Sequence, residues 1–237
     1  MTYIEFAVMA VLIVISGLGA YQRNFAWKNE LTLWQDIVRK SPSKPRPHNN
    51  LSMACRMSGQ WDQSIAEARA ALRLKPDHAN AFVSLADAYL HQGSPHLAIR
   101  YSQEALKVRP GYVDAYLCLG DAHVKKGQID GAIAAYQNAV RFKADNLMAH
   151  HNLASAYGIR GLTDLAIAEF KKALFLKPDS ADTHFNLGYA YEQKGLFIQA
   201  AEEYNMALRL NPGDESARRA LETIMLRIRR GYYYSGN

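Results

Sequence analysis

The amino-acid sequence predicts an all-α protein in which antiparallel helix pairs stack into a solenoid behind one apolar N-terminal helix. Three observations support this fold class. A period of 34 residues persists from residue 45 to residue 214 without an insertion or deletion. Within each period, apolar residues recur at helical spacing and glycine recurs at one fixed place. Before the repeats, residues 3–21 are apolar apart from Glu5 and Ser16.

Residues 1–22 are the first element, which we interpret as a transmembrane helix that contacts the membrane through residues 3–21. The stretch from Phe6 to Ala20 carries no charge. Nineteen helical residues span roughly 29 Å, close to the ~30 Å hydrocarbon core of a bilayer. A cleaved signal peptide and a buried core helix are the alternatives. Glu5 and the lack of a basic leader count against the signal peptide.

Residues 23–44 are predicted to be a junction that contains half a repeat. Carried backwards, the 34-residue register puts Trp34, Ile37 and Pro42 at positions that belong to the second helix of each repeat. We therefore expect residues 29–42 to form the second helix of a partial repeat. The first full repeat would dock on it and stay close to the membrane.

Five repeats follow, at residues 45–78, 79–112, 113–146, 147–180 and 181–214. Positions 4, 7, 8 and 11 form one stripe of a first helix, and positions 20, 24 and 27 form the facing stripe of a second helix. Small residues at positions 8, 20 and 27 let the two backbones approach. Glycine at position 15 permits the turn between the helices, and proline at position 32 ends the second helix. The glycines are Gly59, Gly93, Gly127, Gly161 and Gly195, and the prolines are Pro76, Pro110, Pro178 and Pro212, with Ala144 in the third repeat.

Residues 215–230 continue as one amphipathic helix, with Ala217, Leu221, Ile224 and Ile228 on one face. A stacked array needs such a terminal cap to cover its last apolar face. Residues 231–237 lack a helical period, and we predict a loose tail.

This pattern resembles the tetratricopeptide repeat (TPR) family over residues 45–214. The resemblance implies a right-handed superhelix of antiparallel helix pairs, whose first helices line a concave groove that binds peptides. The sequence departs from the family pattern at Ala144, at Ser64, and at Cys55 and His123, which replace a tyrosine. We expect a looser turn after the third repeat, because Ala144 replaces the proline that ends the second helix.

We predict that positions 2, 5, 6, 9, 12 and 13 of the first helices line the groove, and the candidate binding residues stand at positions 5, 6 and 9. No lysine stands at position 5, so the clamp with which some TPR arrays grip the acidic C-termini of chaperones is not supported. Asparagine at position 6 in three repeats resembles the asparagine ladder of the O-linked N-acetylglucosamine transferase superhelix, which would hold a peptide backbone through amide groups. The candidate peptide-binding residues are Asn49, Asn50, Met53, Ser84, Asp87, Cys118, Asp121, His151, Asn152, Ser155, Phe185, Asn186 and Tyr189.

Residues 18–52 resemble the junction in bacterial relatives of the transmembrane and tetratricopeptide repeat proteins. The resemblance rests on Arg23, Trp27, Glu30, Trp34, Pro42, His48 and Asn50. In that family a many-span membrane domain of glycosyltransferase type precedes the repeats. Its catalytic residues are not among these 237 residues, so the activity is not carried over, and we expect a split or shortened descendant.

The charge distribution argues against a nucleic-acid partner. Residues 45–214 carry 18 basic and 17 acidic side chains, so nearly all of the net charge of +6 comes from the two ends of the chain. A nucleic-acid binder would instead show a basic stripe along its main surface. Two cysteines cannot supply a disulfide framework, and they do not look like a pair.

A search for catalytic motifs finds no zinc-protease, P-loop, dinucleotide-binding or nucleophile-elbow pattern. His48, His150 and His184 recur at position 4, which the repeat assigns to packing between helices. We therefore expect no catalytic residue, metal, cofactor or small-molecule substrate.

These observations favour a membrane-anchored, non-catalytic scaffold that binds an extended peptide or a protein partner. The alternative is an accessory subunit of a membrane glycosyltransferase or envelope-assembly complex, which rests on the family resemblance. Arg23, Lys28, Arg39 and Lys40 follow the apolar segment, and the positive-inside rule would place the repeats in the cytoplasm. The family resemblance implies the periplasmic or exterior side, which we favour slightly for this single-pass protein.

Overall fold

The computed structural model describes residues 29–234, and every regular element in this range is an α-helix. The twelve helices of the described range are α1 Glu30–Lys40, α2 Pro45–Met57, α3 Trp61–Leu74, α4 Ala79–His91, α5 Pro95–Val108, α6 Val113–Lys125, α7 Ile129–Phe142, α8 Leu147–Ile159, α9 Thr163–Leu176, α10 Ala181–Gln193, α11 Phe197–Leu210 and α12 Glu215–Tyr234. The all-α class is thus confirmed.

Each predicted repeat contains one first helix of 13 residues and one second helix of 14 residues. The helices start at the same two positions in every repeat. Pro45 and Pro95 begin α2 and α5, where the missing amide hydrogen costs nothing because the first turn of a helix leaves its amides unpaired. The regularity confirms the array of helix pairs.

Glycine at position 15 makes the turn within each repeat possible. All five of these glycines have φ between +71° and +80°, a left-handed conformation that costs other residues about 1–2 kcal/mol. Beside Gly59, the amide of Gln60 donates to the carbonyl of Cys55 at 2.8 Å, and Leu162 donates to Tyr157 in the same way at 2.9 Å. These bonds pair carbonyl groups that the helix end would otherwise leave without a donor.

Small residues allow the paired helices to approach closely. The position-27 alanines are fully buried, and at position 8 two repeats carry Gly120 and Gly188. A Cβ atom on Gly120 would lie 2.2 Å from the ring of Tyr136, and one on Gly188 would lie 2.8 Å from the ring of Tyr204. Tyrosine at position 24 therefore requires glycine at position 8.

The turn after the third repeat has the same backbone angles as the others, although Ala144 replaces proline. Lys143 has φ −147° and ψ 90°, and Lys177, which precedes Pro178, has φ −143° and ψ 91°. This extended conformation is the one that a residue before proline adopts. The expected looser turn is not visible as a change in backbone geometry.

The contacts within the chain form two compact units, of which the first ends at Gly93 and the second begins at Ser94. In the first unit α1 packs on α2, α2 packs on α3, and α4 contacts both α2 and α3. In the second unit each of the helices α5 to α12 packs on the next, and α8 also contacts α6 and α10. Its core contains Tyr136, Leu153, Phe170, Leu187 and Ile224.

Two further helices flank the repeats. Helix α1 lies within the predicted half repeat, and the amide of Thr32 donates to the side-chain oxygen of Asn29 at its start at 2.9 Å. At the other end Asp214 caps α12, accepting from the amides of Ser216 and Ala217 at 2.9 and 3.1 Å.

The prediction of a loose tail from residue 231 is wrong for residues 231–234, because α12 continues to Tyr234. Each residue added to an existing helix gains a backbone hydrogen bond, and the glycine at 231 costs only about 1 kcal/mol. Residues 235–237 lie outside the described range.

The predicted transmembrane helix, residues 1–22, also lies outside the described range. Between residues 29 and 234, no helix combines the length and the apolarity needed to cross a bilayer.

Candidate functional site

The predicted groove residues lie on the first helices α2, α4, α6, α8 and α10, at positions 5, 6 and 9 of each repeat. We call these positions the first-helix face. Positions 5 and 9 lie about one helical turn apart, and position 6 lies beside them. The most exposed side chains among the predicted residues are Tyr189, at 54%, and Met53, at 40%.

A carboxylate on α6 connects three helices of the second unit. The hydroxyl of Tyr136 on α7 donates to Oδ1 of Asp121 at 2.5 Å, and Nδ2 of Asn152 on α8 donates to the same oxygen at 3.2 Å. Burial, and then the charge of Asp121, raises the pKa of Tyr136 well above its ordinary value, so its hydroxyl remains a donor. Asp121 is thus held in place by residues of two neighbouring helices.

His151 and Asn186 form a second polar link, between α8 and α10. Nδ2 of Asn186 lies 3.4 Å from Nε2 of His151, and Nδ1 of His151 lies 3.0 Å from Oγ1 of Thr183. An amide nitrogen can only donate, so Nε2 accepts and Nδ1 carries the hydrogen. Burial lowers the pKa of His151, against the opposing effect of Asp182, which favours this neutral ring.

The two asparagines therefore differ in the engagement of their amide nitrogen and their amide oxygen. Their amide nitrogens are bound by Asp121 and His151, whereas no donor from residues 29–234 reaches their side-chain oxygens. Both side chains are half-buried, so part of each amide meets solvent. Such oxygens can accept hydrogen bonds from the N–H groups of an extended peptide.

The last repeat holds a second carboxylate in the same manner. The hydroxyl of Tyr204 donates to Oε2 of Glu192 at 2.9 Å, and Nη1 of Arg227 on α12 donates to Oε1 at 3.1 Å. The ring of Phe185 packs against that of Tyr204, with centroids 5.5 Å apart. The capping helix thus helps to fix the polar end of α10.

In the first unit an ion pair joins the first helices α2 and α4. Nη1 of Arg56 donates to Oδ2 of Asp87 at 2.7 Å. Nδ2 of Asn49 lies 3.4 Å from Oδ1 of Asn50 and 3.7 Å from the sulfur of Met53. Oδ1 of Asn49 and Nε of Arg56 are buried without a hydrogen-bond partner.

Three predicted groove residues do not line an open surface, because Asn49, Ser84 and Cys118 are buried, with Asn49 only 2% exposed. At position 6 the shorter side chains of Ser84 and Cys118 are covered, whereas the asparagines there are half-buried. Position 5 is half-buried in the other repeats, so it faces the helix packing as much as the solvent. The remaining predicted residue, Ser155, donates its hydroxyl to the carbonyl of His151 at 3.0 Å.

Sequence reasoning missed a recurring histidine–glutamate pair. In three repeats Nδ1 of the position-4 histidine lies 2.6 Å from a glutamate Oε2, and Nε2 lies 2.8 to 2.9 Å from the carbonyl oxygen of the residue six positions earlier. Each pair ties both helices of a repeat to the preceding turn. The pairs are His48 with Glu67, His150 with Glu169, and His184 with Glu203.

A signal for these pairs exists in the sequence. The repeats without histidine at position 4 also lack glutamate at position 23, where they combine Phe82 with Tyr101 and Tyr116 with Ala135. The histidines are buried, as expected for packing residues, but they pack as members of polar pairs. Among the residues that the structure describes, no group of three or more His, Cys, Asp or Glu could hold a metal ion.

Comparison with protein-family models gives matches to repeat families over more than half of the chain. A TPR repeat model matches residues 120–158 and 159–195. Two tetratricopeptide repeat models match residues 181–214 and 56–101.

A curated relative is the protein O-mannosyl-transferase Tmtc3 of Drosophila melanogaster, which is 23% identical over 83 residues. The match takes in 35% of this chain and only 9% of the length of that relative. The similarity is therefore distant and local.

Several solved structures share the fold. YrrB, described as a TPR protein with an unusual peptide-binding site, is 21% identical, with a TM-score of 0.62 over 80% of this chain and 97% of its own. TTC0263, a TPR protein of Thermus thermophilus, is 23% identical, with a TM-score of 0.63 over 77% of this chain and 99% of its own. One chain of the Cut9–Hcn1 hetero-tetramer of the APC/C is 22% identical, with a TM-score of 0.73 over 88% of this chain and 42% of its own. At these identities the likeness shows the fold alone.

Proposed function

Because the chain belongs to the tetratricopeptide repeat family, we propose that it is a non-catalytic scaffold, anchored in a membrane by residues 3–21, that binds an extended peptide or protein segment along its first-helix face. The observation that carries the proposal is the pair of links from Asp121 to Asn152 and from His151 to Asn186. They hold asparagine side chains from successive repeats in fixed positions with one acceptor open. A right-handed superhelix, expected from the family resemblance, is part of this proposal.

The chemistry of this face fits a peptide backbone better than one particular side chain. An extended segment offers an N–H group at regular intervals, and each hydrogen bond to an asparagine oxygen would contribute a net ~0.5–1.5 kcal/mol. Tyr189 adds an exposed aromatic surface beside the acceptors. YrrB, a protein of similar fold that is described as having a peptide-binding site, supports this choice of ligand.

The proposed membrane anchor rests on the sequence, and the proposed side of the membrane rests on the family resemblance. The apolar segment at residues 3–21 is long enough to cross a bilayer. The similarity to a transmembrane family supports placing the repeats on the exterior or periplasmic side of a single-pass protein.

Site-specific crosslinking tests the proposal in native membranes. A photoreactive phenylalanine replaces Tyr189 on the first-helix face, and the matched control carries it at Gln199, an exposed residue on the second helix of the same repeat. We expect a partner to be crosslinked from Tyr189 and not from Gln199. Identical products from both positions would contradict binding on the first-helix face.

The partner so identified allows a test of the asparagines. Replacing Asn152 and Asn186 by Ala should weaken partner binding by ~1–3 kcal/mol together, while the free energy of unfolding changes by about 1 kcal/mol or less. The matched control replaces Asn138 and Asn205, which lie on second helices, and should leave the affinity unchanged. Unaltered affinity in the Asn152 and Asn186 variant would remove the asparagines from the binding site.

The second candidate function is an accessory subunit of a membrane glycosyltransferase or envelope-assembly complex. Two observations favour it: the resemblance of residues 18–52 to a family junction and the local similarity to Tmtc3. The same crosslinking experiment distinguishes the candidates. A many-span glycosyltransferase as the crosslinked partner would support this second function, and an unrelated protein would support a general scaffold.

A further inference from the structure

A pocket of about 550 Å³ is lined by residues of the second helices α7 and α9 and by His150 of the first helix α8, which stands at position 4 and outside the first-helix face. Val140 and Leu176 contribute apolar walls, and Ala144 lies in the turn that follows α7. Phe175, Lys171 and Lys172 on α9 complete the side that faces solvent.

Two departures from the repeat pattern line this same pocket. Ala144 stands where the other repeats have proline, and Phe175 stands where they have a basic residue. Phe175 is 87% exposed, so the folded chain gains little from its aromatic ring. The basic residues at the equivalent position are Arg73, Lys107, Arg141 and Arg209.

The fixed charges among the residues that line the pocket are those of Lys171 and Lys172, and they favour an anionic ligand. Glu169 is already engaged, since His150 lies 2.6 Å from one of its oxygens and Lys172 lies 2.7 Å from the other. Arg141 and Lys143 lie at the end of α7, and Lys177 follows α9. Against these cations stand Asp145 and Asp179 in the two turns.

We propose that this pocket binds an acidic segment of a partner protein, with one apolar or aromatic side chain seated against Phe175 and Val140. A carboxylate beside that residue would contact Lys171, and a second carboxylate would share Lys172 with Glu169. This surface is distinct from the first-helix face, and a scaffold with both would bring two partner segments together.

Binding of labelled peptides to the full-length chain in phosphatidylcholine nanodiscs tests the proposal. The probe is a short fluorescein-labelled peptide with a central phenylalanine flanked by glutamates. Comparison peptides replace the phenylalanine by serine or the glutamates by lysines. We expect the acidic phenylalanine peptide to bind about tenfold or more tightly than either comparison peptide, as measured by fluorescence anisotropy.

Three variants assign the binding to this pocket. Phe175→Gln removes the aromatic ring, Lys171→Gln removes a charge, and Ala144→Pro fills the turn with the residue of the other repeats. Each variant should bind the acidic phenylalanine peptide about fivefold or more weakly than the native sequence does. Arg209→Gln, at the position of Phe175 in the fifth repeat, is the matched control and should leave its affinity unchanged.

The variants should fold, because each preserves local geometry. Phe175 is an exposed helical position, where glutamine is a good helix former. Lys143 already has the extended conformation needed before proline, and the carbonyl of residue 144 would still accept from His150, as that of Pro178 does from His184. Circular dichroism and thermal melts of each variant verify this.

The proposal is overturned if the serine peptide or the lysine peptide binds as tightly as the acidic phenylalanine peptide. It is also overturned if the three variants bind the acidic phenylalanine peptide as tightly as the native sequence does. Absence of binding at about 1 mM peptide would do the same. Saturation of the pocket by soluble dihexanoylphosphatidylglycerol without peptide binding would assign it to lipid and also overturn it. Asn152→Ala and Asn186→Ala should leave peptide binding here unchanged, which separates this site from the first-helix face.

Discussion

Single side chains in this protein act in pairs that connect neighbouring helices. In the histidine–glutamate pairs, the turn carbonyl can only accept, so Nε2 of each histidine carries a hydrogen. Nδ1 then shares a second hydrogen bond with a glutamate side-chain oxygen, so both ring nitrogens of each histidine are engaged. Position 4, which is a simple packing site in other repeats, is a polar connection in these three.

A double-mutant cycle at His150 and Glu169 tests this pairing. Each single change, His150→Tyr or Glu169→Ala, should cost about 2–3 kcal/mol, because it leaves a buried polar partner without its hydrogen bond. The double variant copies the combination of Tyr116 with Ala135 in the third repeat. Its loss of unfolding free energy should be about 1–3 kcal/mol smaller than the sum of the losses in the two single variants. Urea unfolding measures the three values. Strict additivity would show that the residues do not interact.

The thiol of Cys55 should make stability depend on alkaline pH. Burial, and then the charge of Glu67, raises the pKa of Cys55 from 9.0 to about 11. Between these values the unfolded chain releases a proton that the folded chain keeps, so the free energy of unfolding falls as pH rises. Below about pH 8 the thiol is protonated in both states and has no such effect.

Cys55→Ala removes this dependence. The difference in free energy of unfolding between the native sequence and the variant should be constant below about pH 8. As pH rises to 11, the native sequence should lose about 1–3 kcal/mol of stability relative to the variant. The raised pKa values of Tyr136 and Tyr204 act in both proteins and cancel in the difference. A difference that stays flat across this range would contradict the raised pKa of Cys55.

At the scale of elements, the helix pairs depend on the glycine that ends each first helix. Open space surrounds a Cβ atom placed on Gly161, so a side chain there would meet no neighbour. Its φ of +80° is the whole obstacle. The requirement for glycine at position 15 is therefore conformational, whereas at Gly120 and Gly188 it is steric.

Two alanine substitutions, three residues apart, separate these effects. Gly161→Ala should destabilise the protein by about 1–2 kcal/mol, because alanine resists the left-handed conformation. Gly158→Ala lies inside α8, also with open space around its Cβ atom, and should stabilise by about 0.5–1 kcal/mol because alanine is the better helix former. Thermal melts of both variants provide the test, and effects of the same sign would contradict it.

At the scale of the whole molecule, the proposed attachment to a membrane rests on residues 3–21. Full-length protein should remain in the membrane pellet through an alkaline carbonate wash, because hydrocarbon burial does not depend on charge. A control with Leu12→Arg and Ile13→Arg adds about 2.5–3.5 kcal/mol per residue to the cost of insertion and should be released. Native protein in the wash supernatant would exclude the anchor, and a mature N-terminus near residue 20 would identify a signal peptide.

The sequence by itself determined the helices and their order. Leucine at position 7, glycine at position 15 and proline near position 32 act on residues within a few positions of themselves, through helical spacing, turn geometry and the missing amide of proline. For this reason the predicted repeats match the observed helix pairs in register. Within residues 29–234 the end of α12 was misjudged, because nothing in the local pattern forces a helix to stop at residue 230.

The tertiary structure decided which side chains are open to a ligand. Asn49, Ser84 and Cys118 share positions with exposed or half-buried residues of other repeats, and their burial depends on the neighbouring helix. The engagement of Asn152 by Asp121 and of Asn186 by His151 joins residues 31 and 35 positions apart. Ala144 and Phe175 are separate irregularities in the sequence that become one pocket only when α7, α8 and α9 are assembled. Spacing along the chain fixes the face of one helix, but the distance between two helices depends on the volume and hydrogen bonding of everything packed between them.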